Sequence, residues 1–409
     1  MSTSSSLPPF VSFPAKAVRE HLPHHQWPSI QEAWTILARA HLALDGAQFI
    51  KAVKNDDSVP AFVSAFVAEV ALDPHVVDPV SDEGRRLLGA VYQLTTRLFK
   101  ETLTQDLLRW EFLADWSKVY GKERVSPALS PLFQANTSHK IIEGSLATLK
   151  KFFIESLDAG FKGDLKALES KLARVNHLIH ASPDAAAFVL AGSDFLDGLI
   201  ACFKIMNPPL RSTIITTTYL CLLGLTEGAT PHFSMLSDQL FSLKTAAETH
   251  KSGPLNANDS MVAELVTATP ILKQVLRRAE ANNAATTALK SRITALEAFR
   301  KPGGSSIKPK RPLRRKVDKG KGIAVVDAAE IEGQMHMHLM SQITQVQDLF
   351  PDLGSGFVAK LLDAYGNDPE QVVAHLLEDS LPPNLAGADR SEQLYDFIFS
   401  SRVVRSLLT

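Results

Sequence analysis

Apolar side chains return every three to four positions over most of the chain up to about residue 300, and this helical period leaves few other folds open. Trp34, Leu37, Ala38 and Leu42 make one such stripe, and Phe62, Phe66 and Val70 fall at i, i+4 and i+8. A longer helix is expected from about Asp82 to Leu103, with Leu87, Val91, Leu94, Leu98 and Glu101 to one side and Arg85, Arg86 and Arg97 near the other. The pattern continues through Leu107, Trp110, Leu113 and Ala114, and returns in Ile141–Ala159, Leu165–Ile179 and Asp184–Met206. Asn207-Pro208-Pro209 breaks it, and further helices are expected over 210–224, 234–249, 258–267 and 271–300. No run alternates with a period of two over several strands, and no βαβ rhythm is present. No self-similarity at roughly 33–45 residues marks an ankyrin or tetratricopeptide array, although a degenerate helical solenoid stays open. The expectation is an all-α chain in which residues 27–300 form a large multi-helix scaffold that binds a partner.

The flanks differ in composition. Residues 1–26 hold Leu7-Pro8-Pro9-Phe10 and Phe13-Pro14. Proline fixes φ and removes a backbone donor, so these residues predict an extended Pro-rich arm. Phe10 and Phe13 are costly in water, so the arm is expected to pack on the domain or on a partner, which makes Leu7, Pro8, Pro9, Phe10, Phe13 and Pro14 candidate partner-binding residues. At the other flank, Pro302-Gly303-Gly304-Ser305-Ser306 reads as a hinge. After it come Lys308, Lys310, Arg311, Arg314, Arg315, Lys316, Lys319 and Lys321, with Asp318 as the only acid among them. This predicts a disordered basic linker over 301–327. A nuclear import signal, a solvated spacer, or contact with RNA or ribosome phosphates all fit the run; no aromatic side chain is interleaved to stack on bases.

Other function classes find little support. The formal net charge is −1, so any attraction to nucleic acid or anionic lipid has to come from a local patch. Met1 to Pro14 lacks the basic region and apolar core of a signal peptide. The most apolar run, Thr213 to Leu225, is interrupted by four threonines and falls short of the roughly 20 residues a membrane span needs. Two cysteines, Cys202 and Cys221, suit a reducing compartment, and no membrane partner is expected. A soluble protein of the cytoplasm, the nucleus or both is the expectation. Histidines pair at His177 and His180 and at His336 and His338, and cluster at His21, His24 and His25, but neither cysteine lies near any of them in sequence. A zinc site needs about four ligands, so surface or capping roles outweigh metal binding. Gly320-Lys321-Gly322 has no strand–helix context and reads as a spacer rather than a phosphate loop. No nucleophile, base and orienting group can be picked out, so no enzyme activity, cofactor or metal is expected.

The most informative segment is 335–382, ahead of a tail over 383–409. Ile343, Val346, Leu349 and Phe350 share a helical face, and Pro351 stops that helix. Asp352-Leu353-Gly354-Ser355-Gly356 is a tight connection to a second helix bearing Phe357, Val358, Leu361, Leu362 and Tyr365, with Gly366 just past its end. The third helix starts with Asp368 as N-cap, Pro369 at the first position and Gln371 as the capping-box residue. Its apolar residues are Val372, Val373, Leu376 and Leu377. So small a three-helix bundle cannot hide every apolar side chain. Leu349, Phe350, Pro351, Leu376 and Leu377 are the candidate binding residues, either of the leucines at 376 and 377 being open to a core role because neighbours on a helix point about 100° apart.

The order Leu349-Phe350-Pro351, Asp368-Pro369-Glu370 and Leu376-Leu377 resembles the CUE domain, whose hallmarks are a Met-Phe-Pro motif and a dileucine; Leu349 stands where the hallmark has Met. The resemblance implies that both motifs grip the apolar patch of ubiquitin. Over Val346 to Leu381, with Leu353-Gly354, Gly356-Phe357, Asp368-Pro369-Glu370-Gln371-Val372 and Leu377-Glu378, the chain is similar to the activating signal cointegrator 1 complex subunit 2 family. The Pro-rich opening from Leu7 to Pro14 resembles the start of fungal members. That family implies a helical N-terminal region that docks a large helicase partner. It also implies a CUE domain that recognises polyubiquitin on stalled ribosomes or at damaged nuclear sites.

Overall fold

Every regular element among the described residues is a helix. A computed structural model of the chain describes residues 7–252, 259–301, 342, 343, 345–347, 349, 350, 353–365, 368–377, 381, 385 and 390, with backbone only at 24, 370, 374 and 377. The basic residues Lys308, Lys310, Arg311, Arg314, Arg315 and Lys316 and the rest of the expected linker after residue 301 lie outside them, as does Pro351. The chain divides into two compact units, Met1–Phe152 with Arg174–Phe188, and Phe153–Ala173 with Val189–Thr409.

The first unit is built on aromatic residues that the arm completes. Phe10 and Phe13, at 5% and 3% exposure, are core residues. Phe10 stacks on Phe62 at 4.6 Å, and Phe13 meets Phe66 at 5.0 Å and Trp34 at 5.2 Å. Polar contacts fix the backbone of the arm: Trp34 Nε1 donates to the Val11 carbonyl at 3.2 Å, and the Phe10 N–H donates to Ser58 Oγ at 2.8 Å. Arg19 Nη1 holds the Pro14 carbonyl at 2.6 Å and Glu69 at 2.5 Å. The arm therefore packs on its own domain, and its two phenylalanines are spent there; Pro8, Pro9 and Val11 are among the residues it leaves exposed.

Behind the arm, the Trp27–Ala43 helix packs on Asp82–Glu101, and Ser58–Leu72 packs on Trp110–Tyr120. The helix expected over 82–103 is present, with Ser81 Oγ capping it at the Gly84 N–H. Arg97, expected near its outer side, turns inward: it donates to the carbonyls of His41, Leu42 and Leu44 at 3.1, 2.8 and 2.8 Å. It thus closes the C-terminus of a helix far away in sequence, where a cation also meets the negative end of the helix dipole. Besides a single helical turn at Lys16–Arg19, within the arm expected to be extended, two longer helices lay outside the periodic segments. Gly46–Asn55 is capped by Asp45, and Lys122–Gln134 holds Pro127 and Pro131 inside it, each deleting one backbone hydrogen bond.

Further along the chain two expected helices are each broken in two. Asp184–Met206 is interrupted at Gly192 (φ +80°), with helices over Pro183–Leu190 and Asp194–Cys202 on either side. The 271–300 segment breaks at Asn283 (φ 54°) into Ile271–Ala281 and Thr287–Glu297. A left-handed residue cannot continue a right-handed helix, and glycine and asparagine are the types that tolerate it. The prolines at 208 and 209 open a helix rather than only ending one: Pro208–Gly224 begins there, with Asn207 Oδ1 accepting from the Leu210 N–H. That helix is buried nearly all round. Thr213, Thr216, Thr217 and Thr218 fit because each hydroxyl donates to the carbonyl four residues back, at 3.1, 3.0, 2.8 and 2.9 Å. Cys202 and Cys221 are buried, and burial pushes the Cys202 thiol up. Among the described residues no single helix is long and apolar enough to cross a membrane.

Candidate functional site

The C-terminal module has a core of its own. Ile343 and Val346 from its first helical stretch, Phe357, Val358, Ala359, Leu361 and Leu362 from the Ser355–Ala364 helix, Val372 from Pro369–Leu377 and Leu385 are all buried together. The turn after the first stretch is drawn tight: the Phe350 N–H donates to Val346 O at 3.0 Å and the Leu353 N–H to Phe350 O at 3.2 Å. Gln347 Nε2 adds a bond to Leu353 O at 2.7 Å. Residue 390 is part of the fold here, because its carbonyl accepts from the Gly354 N–H at 2.7 Å, which sequence periodicity gave no means of seeing.

The third helix begins as its signals predict, with one difference. Asp368 Oδ1 accepts from the Gln371 N–H at 3.4 Å. The Gln371 side chain, however, donates to the Asp368 carboxylate at 3.1 Å.

The candidate binding residues divide by burial. Leu349 is 63% exposed. Phe350 and Leu376 are half-buried and packed against the core, so each has one side seated and a rim open. Pro351 and the Leu377 side chain lie outside the described residues. The module thus shows apolar surface at the end of its first helical stretch and at the end of its third helix, the two places where the paired motifs sit.

The family profile of the CUE domain matches residues 339–380. These residues form a CUE domain. Curated relatives match it as well. Over 55 residues the chain is 49% identical to activating signal cointegrator 1 complex subunit 2 of Homo sapiens, and over 54 residues 50% identical to the subunit of the same name from Mus musculus. Each match covers 13% of this chain and 7% of the relative, so the likeness is one of the CUE domain and not of whole proteins. No solved structure matches the chain.

Two features of the CUE domain escaped the sequence reading. One is the bond from Gly354 to residue 390. The other is a ring stack between Tyr365 and His375, with centroids 4.5 Å apart and planes 14° from parallel. A histidine among apolar helix positions carries no signal of its partner, because the partner is fixed by how two helices meet. Among the described residues no group of three or more histidines, cysteines or acids could hold a metal ion.

Proposed function

We propose that this protein is a non-catalytic adaptor whose CUE domain binds ubiquitin or polyubiquitin and whose helical N-terminal region docks a large helicase subunit of the same complex. The observation that carries the ubiquitin reading is the exposed Leu349 beside the half-seated Phe350, matched at the end of the third helix by the half-seated Leu376. A bundle this small cannot hide every apolar side chain, and apolar surface gathered at the ends of two helices, where the paired motifs sit, is a docking surface. The relatives are subunits of a complex by name, which supports a role within an assembly. The same resemblance supports work on ubiquitinated cargo in ribosome-associated quality control or DNA alkylation repair, in the cytoplasm, the nucleus or both.

The contact area is far below the roughly 1,600 Å² of a standard interface, so a single ubiquitin is bound weakly and chains are needed for useful affinity. The test is a titration of full-length protein into isotope-labelled ubiquitin, followed by amide shifts. Shifts confined to the apolar surface of ubiquitin, and lost in the L376A/L377A variant, are expected. Absence of any shift at millimolar concentration sinks the reading.

A further inference from the structure

The third helix of the CUE domain places Val372, His375 and Leu376 at i, i+3 and i+4, which is one helical face. Val372 is fully buried, and it is the only residue of that helix in the buried core among the described residues. Leu376 packs on the same core half-covered. A single buried anchor fixes where a helix touches its neighbours but only loosely fixes its rotation about its own axis. Val373 and Leu376 add only partly buried contacts to that core, and the further contact on the Val372 face is the ring of His375. The imidazole lies flat on the ring of Tyr365, 4.5 Å away and 14° from parallel. Tyr365 is itself held: it closes the Ser355–Ala364 helix, its N–H donates to Leu361 O at 3.0 Å, and its side chain packs on the core. The stack therefore clamps the last turn of the third helix to the end of the second.

We propose that His375 and Tyr365 are positioning residues of the ubiquitin-binding surface: their stack sets the rotation of the third helix, and with it the direction in which Leu376 faces a bound ubiquitin. The proposal rests on the ubiquitin reading above. Neither ring need touch ubiquitin; the effect passes through the helix they hold.

Isothermal titration of ubiquitin with the full-length chain tests it, comparing wild type with H375A, Y365A, H375F and the H375A/Y365A double variant. Loss of an aromatic pair predicts affinity about three- to tenfold weaker in H375A and in Y365A. The double variant should be no weaker than either single one, since the pair acts as a unit. H375F keeps a ring to stack and should bind within about twofold of wild type. Wild-type affinity in H375A overturns the proposal and leaves the ubiquitin reading standing. So does H375F as weak as H375A, or single effects that simply add. A wild-type chain that shows no heat of binding overturns both.

Discussion

His41 lies at 2% exposure, its ring tilted against Phe10 of the arm at 5.3 Å, and neither of its ring nitrogens has a hydrogen-bond partner. Burial holds its pKa below the ordinary 6.5; Asp56 pulls the other way and Arg97 adds to the lowering. Because the folded value is depressed, the unfolded chain takes up the proton first as pH falls. The stability that neutral His41 confers is complete above about 6.5 and declines as pH drops through that value toward the folded one. Denaturant midpoints of the wild type should therefore fall on the acid side of about pH 6.5, and His41→Leu should fall less steeply. Equal slopes in the two proteins would assign the decline to other groups. Nothing in the 27–43 sequence distinguishes this histidine from a surface one except its place in the stripe, and its cover comes from residue 10.

The arm is the element whose role the residues alone leave most open. Its prolines announce an extended segment, and its phenylalanines announce that something must cover them. Only the structure shows that Trp34, Phe62 and Phe66 of the same chain do so. Phe13→Ala should lower the stability of the first unit by about 3–5 kcal/mol, the usual cost of emptying a buried aromatic site. Val11→Ser, at a position 74% exposed, should stay within about 0.5 kcal/mol, as read by the same unfolding curves. Similar losses in both would mean that the arm is not part of the core. Helix limits were legible where a capping residue and a stripe agree, as at Asp368 and Pro369. They were not legible at Gly192 and Asn283, because a positive φ interrupts the backbone without disturbing the apolar period on either side.

Across the whole molecule, the apolar contact proposed for the CUE domain and an ionic contact through the basic run of 308–321 make different predictions. They separate by salt. Attachment through eight basic residues would weaken by several orders of magnitude between roughly 50 and 200 mM salt, whereas an apolar grip on ubiquitin should change by less than about threefold. A chain of four ubiquitins should bind the full-length protein more tightly than the statistical factor of about four over a single ubiquitin if chain length raises effective concentration. Surface-immobilised ubiquitin chains at two salt concentrations read both effects, and a steep salt dependence would move the main contact to the basic run.

The all-α class, the position and start of the third CUE helix and the motifs at Leu349-Phe350 and Leu376-Leu377 were all present in the sequence. Each depends on neighbours within a turn or two of helix, and local spacing records such neighbours faithfully. Which residues cover Phe10 and Phe13, which carbonyls Arg97 closes and which ring His375 meets were decided only by tertiary structure. A periodic stripe states that a face is buried and is silent about what lies opposite. The partner of a buried face comes from tens of residues away, set by how helices pack, and no local pattern encodes that choice.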